Sequence, residues 1–349
     1  MTPEQSVIKD MKEILYDAKK DAKLDYCLYC GKKCSSFCNS HTIPQFILKN
    51  ILKEGYIYTQ TIYLNSPISE MLPKEKGLKD IETFKNICKE CDNTIFKEYE
   101  NLENLSSEPS NKIMTEIALK NFLMLLYKNS VEKHLVENIA QKNQKLNNLM
   151  KLSQYIDGKN STEKDIKHDL KRCQTILKKN LKSGYKLMFW HKLNHIVPIA
   201  FQGAVCLYGD LSGNVLNKDL YTYSDQPTKK LEFLHICVFP LKDFSIIMAF
   251  YHKDDHECIK FNRQFNRLNL VEKMKLIGFI LFSHEESVYI SKKNDHEFLN
   301  DCDLKKASNN IETFSLSTLK ESEAKYTARK NELSNYKSFP NIFDEKYRI

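Results

Sequence analysis

Two pairs of cysteines, each separated by two residues, constrain this chain more than any other sequence feature. The first pair is Cys27 and Cys30 in CLYC, and the second is Cys88 and Cys91 in CKEC. Two such pairs joined by a spacer are the usual ligand set of a structural tetrahedral zinc site, because the two-residue gap lets both sulfurs of a pair reach one ion. Gly31, directly after the first pair, suits the tight turn that this arrangement requires. We therefore predict one structural Zn²⁺ bound by the four cysteines.

The cysteine count favours metal binding over disulfides. The chain has 11 cysteines, an odd number, and its charged N-terminus lacks the apolar segment of a secretory signal. Cys34 and Cys38 are either spare ligands or small buried hydrophobic side chains, and the second interpretation is favoured. No apolar run approaches the ~18 residues of a membrane-spanning helix, so we expect a cytoplasmic protein with no membrane partner.

Hydrophobic periodicity and turn residues predict an α+β fold in several regions. Residues 185–300 are rich in aromatic and β-branched residues and predict at least four strands of an antiparallel or mixed sheet. The helical regions show apolar residues at helical spacing. The predicted regions are an N-terminal helix (1–23), a zinc-bound module (24–105), a helical region (112–184), an α+β domain (185–300) and a polar tail with a helix at 317–337 (301–349).

Local signals refine these regions. Tyr, Ile and Thr predict a strand at 55–65, and two prolines and a glycine predict a loop at 66–77. Residues 93–104 are predicted to form one short helix. DGKNS (157–161) is predicted to break the long helical region, and a second helix is predicted to end at Gly184.

The net charge of +8 is a weak indication of an acidic partner such as nucleic acid. Much of the lysine is interleaved with acidic residues, which is typical of a solvated helix face. One predicted helix carries a run of basic residues, for which the alternative is a row that follows a phosphate backbone. These residues are Lys171, Arg172, Lys178, Lys179 and Lys182.

Other histidine groups are weaker candidates. HKLNH (191–195) lacks the glutamate of a metalloprotease helix and is expected in the core or at a sheet edge. HKDDHE (252–257) could bind a metal, but a polar turn between strands is favoured. His284, Glu285 and Glu286 lie at a predicted helix–strand junction and form a weak pocket candidate.

Two short segments of the cysteine-rich region resemble an HNH endonuclease of the ββα-metal class. SHTIP (40–44) lies between the cysteine pairs, and CKECDNTIFKEYE (88–100) runs from the second pair into a predicted helix. The most similar variant has Ser-His-Ile-Ile-Pro at the first motif and C-x-x-C-x-x-x-x-F-x-x-Y-E at the second. The resemblance covers roughly residues 24–104 and implies a zinc-stapled ββα-metal module.

The resemblance implies roles for three residues. His41 would be the general base that takes a proton from the attacking water, a task that suits a neutral imidazole near pH 7. Asn93 would hydrogen-bond to the backbone and hold the loop that carries the histidine. Glu100 would bind a catalytic Mg²⁺ or Mn²⁺, since these ions prefer oxygen ligands.

Ser40 departs from the pattern of many HNH enzymes, which have an acidic residue or histidine there as the other metal ligand. A serine hydroxyl is a poor ligand alone. Asn39, Asp92 or a water could replace it, which would leave Ser40 a minor ligand of the catalytic metal. Alternatively, the module is a catalytically degenerate, zinc-stabilised domain that binds nucleic acid or protein.

The resemblance implies a metal-dependent endonuclease that hydrolyses DNA, expected to be double-stranded and bound with low sequence specificity. The C-terminal domain carries no recognisable motif. We expect it to regulate or target the nuclease through a ligand, a partner protein or a second copy of the chain, although it could instead hold the main activity. Such combinations are common in bacterial defence against phage, and that role is an expectation from the family alone.

Overall fold

A computed structural model describes residues 3–59, 74–142, 150–221, 228–284, 287–294, 302, 304 and 327–349. The helices of these ranges follow the apolar periodicity of the sequence. They are α1 (Pro3–Asp21), α2 (Gln45–Leu48), α3 (Lys89–Ile95), α4 (Leu102–Leu105), α5 (Asn111–Lys142), α6 (Met150–Lys178), α7 (His256–Phe265) and α8 (Leu270–His284). Short 3-10 helices lie at Lys49–Ile51, Leu78–Asp80, Lys218–Tyr221, Lys292–Asn294, Glu332–Lys337 and Glu345–Tyr347. None of these helices has the length and apolar character needed to cross a bilayer.

The strands form two antiparallel sheets. They are β1 (Ser40–His41), β2 (Tyr56–Thr59), β3 (Lys74–Gly77), β4 (Thr83–Phe84), β5 (Tyr185–Leu193), β6 (Ile199–Val205), β7 (Leu234–Pro240), β8 (Ser245–His252) and β9 (Tyr289–Ile290). One sheet pairs β1 with β4, and the other has the order β3-β2-β9-β6-β7-β8-β5. Every pairing is antiparallel, so the predicted α+β class and its antiparallel sheet are confirmed.

The large sheet is covered on both faces, which explains the almost continuous apolar sequence of its central strands. On β7, Cys237 and Phe239 face one core, which α5 also lines, whereas Ile236 and Val238 face the other, which α8 lines. This alternation follows from the period of two in a strand. The first core also contains apolar residues from the cysteine-rich region, and it therefore fixes that region against α5 and the sheet.

Strand pairing also joins distant parts of the chain. Tyr58 of β2 lies opposite Ile290 of β9, and Ile199 of β6 lies opposite Ile290 on its other side. Strands from the predicted zinc module and from the predicted C-terminal domain thus share one sheet. The division into five regions stays a prediction.

The predicted helix break at DGKNS is wrong, because α6 runs through it without interruption. A glycine inside a helix costs about 1 kcal/mol. Packing against α5 offsets this cost: Lys159 pairs with Glu132, and the side chain of Asn129 donates to the carbonyl of Lys159 at 3.0 Å. Residues 143–149, between α5 and α6, lie outside the described residues.

Three other local predictions need correction or lie partly outside the described residues. The predicted loop at 66–77 is wrong at its end, where β3 pairs with β2, and residues 66–73 are not described. The strand predicted at 55–65 is present as β2, and its residues 60–65 are not described. The predicted helix 93–104 is two helices, since the side chain of Asn101 caps α4 separately. Of the predicted tail helix, only residues 327–337 are described, and they are helical.

Candidate functional site

The first cysteine pair lies in a tight turn that backbone hydrogen bonds close. The N–H of Gly31 donates to the carbonyl of Cys27 at 2.8 Å, and the N–H of Cys27 donates to the carbonyl of Lys32 at 2.9 Å. Gly31 has a φ of 73°, in the left-handed region that favours glycine. The turn expected at this position is therefore present.

The second pair lies at the start of α3. Cys88 is the N-cap residue, and its sulfur accepts a hydrogen bond from the N–H of Cys91 at 3.5 Å. The N–H of Cys88 in turn donates to the sulfur of Cys27 at 3.3 Å. N–H groups at the start of a helix favour negative charge, as metal-binding thiolates require.

The sulfurs of Cys27, Cys30, Cys88 and Cys91 all lie within 4.8 Å of one another, and we call these residues the four-cysteine cluster. The sulfurs of Cys30 and Cys88 are 4.0 Å apart. A tetrahedral zinc ion with Zn–S bonds of about 2.3 Å needs sulfurs about 3.8 Å apart. The four residues therefore fit a structural metal such as zinc.

Protonation opposes metal binding in this cluster. Burial raises the pKa of the Cys27 and Cys91 thiols, and at Cys91 the neighbouring cysteines raise it further, whereas backbone N–H groups of Cys30 and Cys88 act against the rise at Cys27. Because thiolates are the metal ligands, metal binding must release protons. The affinity of the cluster for a metal should therefore fall as the pH falls.

Cys34 and Cys38 do not belong to the cluster. The Cys34 sulfur donates to the carbonyl of Lys32 at 3.3 Å, and the Cys38 sulfur donates to Oδ2 of Asp92 at 3.2 Å. Both cysteines are half-buried rather than buried, and Cys34 packs against the first core, so the interpretation as small hydrophobic residues holds in part for Cys34.

The predicted base, His41, lies on the small sheet directly before α3. Ser40 pairs with Phe84 and His41 pairs with Thr83, and α3 begins five residues after β4. The paired strands β1 and β4 are thus followed by α3. The chain between β1 and β4 also contributes β2 and β3 to the large sheet.

The His41 ring is held in one orientation. The backbone of Leu78 hydrogen-bonds to the ring, whereas Nε2 is buried and has no hydrogen-bond partner among the described residues. Burial lowers the pKa of His41, and the positive charge of Lys120 lowers it further. The charges of Asp92 and Glu100 act in the opposite direction. We call His41, Asp92, Glu100 and Lys120 the His41 cluster.

Asp92, on the first turn of α3, is the acidic residue nearest to the predicted ligand Ser40. The buried Ser40 hydroxyl donates to Oδ1 of Asp92 at 2.7 Å. Burial, assisted by the charge of Asp92, raises the pKa of the Cys38 thiol to about 11, so this thiol stays protonated and donates to Oδ2. Asp92, which the sequence suggested as a possible replacement for Ser40 as a metal ligand, thus lies within hydrogen-bond distance of Ser40.

Glu100, the predicted metal ligand, forms an ion pair with Lys120 of α5. The Lys120 side chain is 3% exposed, and its ammonium lies 4.5 Å from the ring centre of Phe96 and 5.4 Å from that of Tyr99. Lys120 is not among the residues predicted from the sequence. Its signal is a cation inside the apolar run ALKNFLMLL (118–126), where a lysine without a buried partner would be costly.

Asn93 is not brought into the His41 cluster. Its side chain is exposed on α3 and makes no hydrogen bond to the described residues, whereas the charges of Asp92 and Glu100 act on the pKa of the histidine. The predicted role of Asn93 in holding the histidine loop stays a prediction, and the hydrogen bond from the ring to Leu78 already holds that side chain.

A chain of buried hydrogen bonds runs from this region into the large sheet. The Tyr99 hydroxyl donates to the carbonyl of Thr42 at 2.9 Å and lies 3.2 Å from Oε1 of Gln202. Nε2 of Gln202 donates to Oδ1 of Asn121 at 3.0 Å. Nδ2 of Asn121 lies 3.1 Å from Nδ1 of His235, whose pKa burial lowers to about 3.

The remaining histidine candidates lie elsewhere. HKLNH (191–195) is at the end of β5, as expected for a sheet position. The polar turn predicted in HKDDHE (252–257) is present, but it leads from β8 into α7 rather than into another strand. His284 is buried at the end of α8, and burial lowers its pKa to about 3. Glu285 and Glu286 lie outside the described residues.

The C-terminal half of α6 packs on the first cysteine turn. Nε2 of Gln174 donates to the carbonyl of Leu28 at 2.8 Å, and the Lys178 ammonium lies 5.4 Å from the Tyr29 ring centre. Exposed lysines follow one face of α6 at spacings of three, four and seven residues. This lysine row consists of Lys164, Lys167, Lys171 and Lys178.

Arg172, predicted with the basic run, points away from the lysine row. It forms ion pairs with Asp169 at 3.1 Å and with Asp255 at 3.0 Å. Lys230 also pairs with Asp169, at 2.7 Å. These contacts tie α6 to the segments before β7 and after β8, so Arg172 has a structural position.

Within the described part of the chain, the four-cysteine cluster is the only group in which at least three His, Cys, Asp or Glu ligand atoms lie within 4.8 Å of one another. His41, Asp92 and Glu100 therefore do not form an assembled site for a divalent ion. Comparison with protein-family models, with curated proteins and with solved structures finds no match to this chain. Any assignment of function must come from the residues themselves.

Proposed function

We propose that this protein is an HNH-type endonuclease that hydrolyses phosphodiester bonds in DNA. One observation carries the proposal: Ser40, the neighbour of His41 on β1, hydrogen-bonds to Asp92 of α3, which directly follows Cys91 of a four-cysteine cluster that fits zinc. The pairing of β1 with β4 and the position of α3 after β4 support the resemblance to the ββα-metal class. The four-cysteine cluster would fix α3 relative to the first cysteine turn and so position Asp92.

His41 would act as the general base. Its low pKa keeps the imidazole neutral near pH 7, as a base requires. The hydrogen bond to the Leu78 backbone leaves the other ring nitrogen, Nε2, as the proton acceptor.

The acidic residues and Lys120 would set the charge around the base. The ligand set for a catalytic Mg²⁺ or Mn²⁺ is not assembled, because Asp92 accepts hydrogen bonds from Cys38 and Ser40 and Glu100 pairs with Lys120. In this arrangement, the chain's own contribution to hydrolysis is a neutral base and an adjacent cation.

Double-stranded DNA is the substrate that the charge distribution supports best. The lysine row extends along α6 to the first cysteine turn, where Lys178 lies over Tyr29. Fourteen residues separate Lys164 from Lys178, which is about 21 Å along a helix and matches several phosphates of a duplex. Only Lys167 has an acidic partner on α6 itself, Glu163 at 2.5 Å. Lysines bind phosphates without reading bases, so low sequence specificity is expected.

A plasmid cleavage assay with Mg²⁺ or Mn²⁺ tests the proposal by comparing the wild type with His41→Ala. We expect the substitution to lower the rate by about 10²–10⁴-fold, the usual contribution of a general base. The variant should retain bound zinc, since His41 is not in the four-cysteine cluster. Equal cutting by both proteins would contradict the role of His41. If neither the wild type nor the variant Lys120→Met cuts DNA, the proposed endonuclease activity is wrong.

A zinc-stabilised binding module is the second candidate. The observation that favours it is the lack of an assembled catalytic metal site among the described residues. Such a module would bind DNA through the lysine row and leave it uncut in every variant. The regulatory role of the C-terminal domain, its ligand or partner, self-association and a role in phage defence stay predictions.

A further inference from the structure

The His41 cluster already contains a cation. Lys120 pairs with Glu100, and its side chain is 3% exposed while that of Glu100 is 39% exposed. The ammonium is enclosed by the rings of Phe96 and Tyr99. Since a buried ammonium without a carboxylate is strongly unfavourable, Lys120 retains Glu100 from inside the protein.

The carboxylate of Asp92 and the imidazole of His41 are also closed to an outside ligand. Both carboxylate oxygens of Asp92 accept internal hydrogen bonds, from Ser40 and Cys38. Nε2 of His41 is buried without a partner among the described residues. A buried polar atom without a partner is rare and calls for an explanation. A site that is closed until something opens it explains all three observations together.

Helix α5 fixes Lys120 through the residue that follows it. Asn121 donates to the carbonyl of Gly203 at 3.0 Å and hydrogen-bonds to His235, both on the large sheet. It also accepts a hydrogen bond from Gln202, which contacts Tyr99. A shift of α5 against the sheet would therefore move Lys120 relative to Glu100.

We propose that Lys120 and Glu100 form an autoinhibitory ion pair: the ammonium takes the place of a divalent cation at Glu100, and release of Lys120 opens a divalent-cation site there. The inference deepens the proposed function, on which it rests for the use of the ion in hydrolysis. Oxygen ligands such as Glu100 and Asp92 are those that Mn²⁺ and Mg²⁺ prefer. A carboxylate paired with an ammonium is a poor ligand, because the two cations compete for the same oxygens.

Mn²⁺ binding to the full-length, zinc-loaded protein tests this proposal without any DNA. The signal of free Mn²⁺ in electron paramagnetic resonance would be titrated for the wild type and for Lys120→Met, which removes the ammonium and retains an apolar stem against the rings. We expect at least a tenfold gain in Mn²⁺ affinity. Adding Glu100→Gln to Lys120→Met should abolish the gain, and Lys120→Arg, which keeps the charge, should behave like the wild type.

The matched control is Lys112→Met on the same helix. Lys112 pairs with Glu98 at 2.6 Å, two residues before Glu100, but this pair is exposed and lies outside the His41 cluster. It should leave Mn²⁺ affinity unchanged. If Lys120→Met does not fold, Lys120→Gln provides the same loss of charge with a polar side chain.

Two results would overturn the autoinhibitory ion pair: no gain in Mn²⁺ affinity in a folded Lys120 variant, or a gain that persists with Glu100→Gln. Failure of the proposed hydrolysis looks different, since it appears as equal DNA cleavage by Lys120→Met with and without His41→Ala. Binding and cleavage therefore report separately on the two proposals.

Discussion

Cys91 and Asp92 are neighbours on α3, yet they serve two regions with opposite organisation. In the four-cysteine cluster, the side chains converge on one point, and N–H groups support the negative charge of their sulfurs. In the His41 cluster, each group is already bonded to another part of the protein, and the carboxylates face protein donors instead of a shared point. The first region is prepared for an ion, and the second is closed against one.

This contrast separates structural from functional metal binding. A structural site gains stability from having its ligands preassembled, because metal binding is then coupled to folding. A functional site can gain control from the opposite arrangement, since an internal ion pair keeps it inactive until a conformational change. Both regions use residues of α3, so a metal in the four-cysteine cluster would also hold Asp92 in position.

The largest effect should come from removing a ligand of the four-cysteine cluster. Cys27 is buried, and we expect Cys27→Ala to abolish zinc binding and destabilise the protein by several kcal/mol. The measurements are zinc content by atomic absorption and thermal unfolding by circular dichroism. Cys34→Ala is the matched control, because its half-buried sulfur lies outside the cluster and should cost less than about 0.5 kcal/mol. Equal zinc content in both variants would contradict the four-cysteine site.

A smaller effect is expected on the lysine row, which lies beside the four-cysteine cluster. We expect the double substitution Lys171→Ala and Lys178→Ala to lower the slope of log affinity against log salt by about 2, since each phosphate contact contributes about one unit. Fluorescence anisotropy with a labelled duplex measures this slope. The matched control removes the same charge from α1, by Lys9→Ala and Lys12→Ala at exposed positions. If both pairs change the slope equally, DNA is attracted by net charge alone and the lysine row is a solvated face.

The two regions also differ in how well the sequence predicts them. The four cysteines could be predicted because each pair is local and its chemistry depends on spacing alone. Lys120 could not, since it meets Glu100 only after α5 packs on the large sheet. Nor could the pairing of Tyr58 with Ile290, which joins strands more than 200 residues apart. A role for Asp92 could have been predicted, because it directly follows a ligand cysteine. The motif resemblance assigned a role to the neighbouring Asn93 instead.

The smallest effect concerns the pH dependence of cleavage. Burial and Lys120 lower the pKa of His41 below its ordinary value of 6.5, so the neutral, active form should persist at mildly acidic pH. We therefore expect kcat/KM to fall only below pH 6.5, with less than a twofold loss at that pH, where a histidine with the ordinary pKa would be half protonated. Without Mg²⁺ or Mn²⁺, when no divalent cation replaces Lys120, Lys120→Met removes a charge that lowers this pKa, and the titration of the His41 ring measured by NMR should move to higher pH. A wild-type limb of kcat/KM centred above pH 6.5 would mean that His41 is not the titrating base, and a His41 titration that does not move in the variant would contradict the effect of Lys120. A shift in the expected direction would show that Lys120, which pairs with Glu100, also lowers the pKa of His41. One lysine would then control both the metal ligand and the base of the His41 cluster.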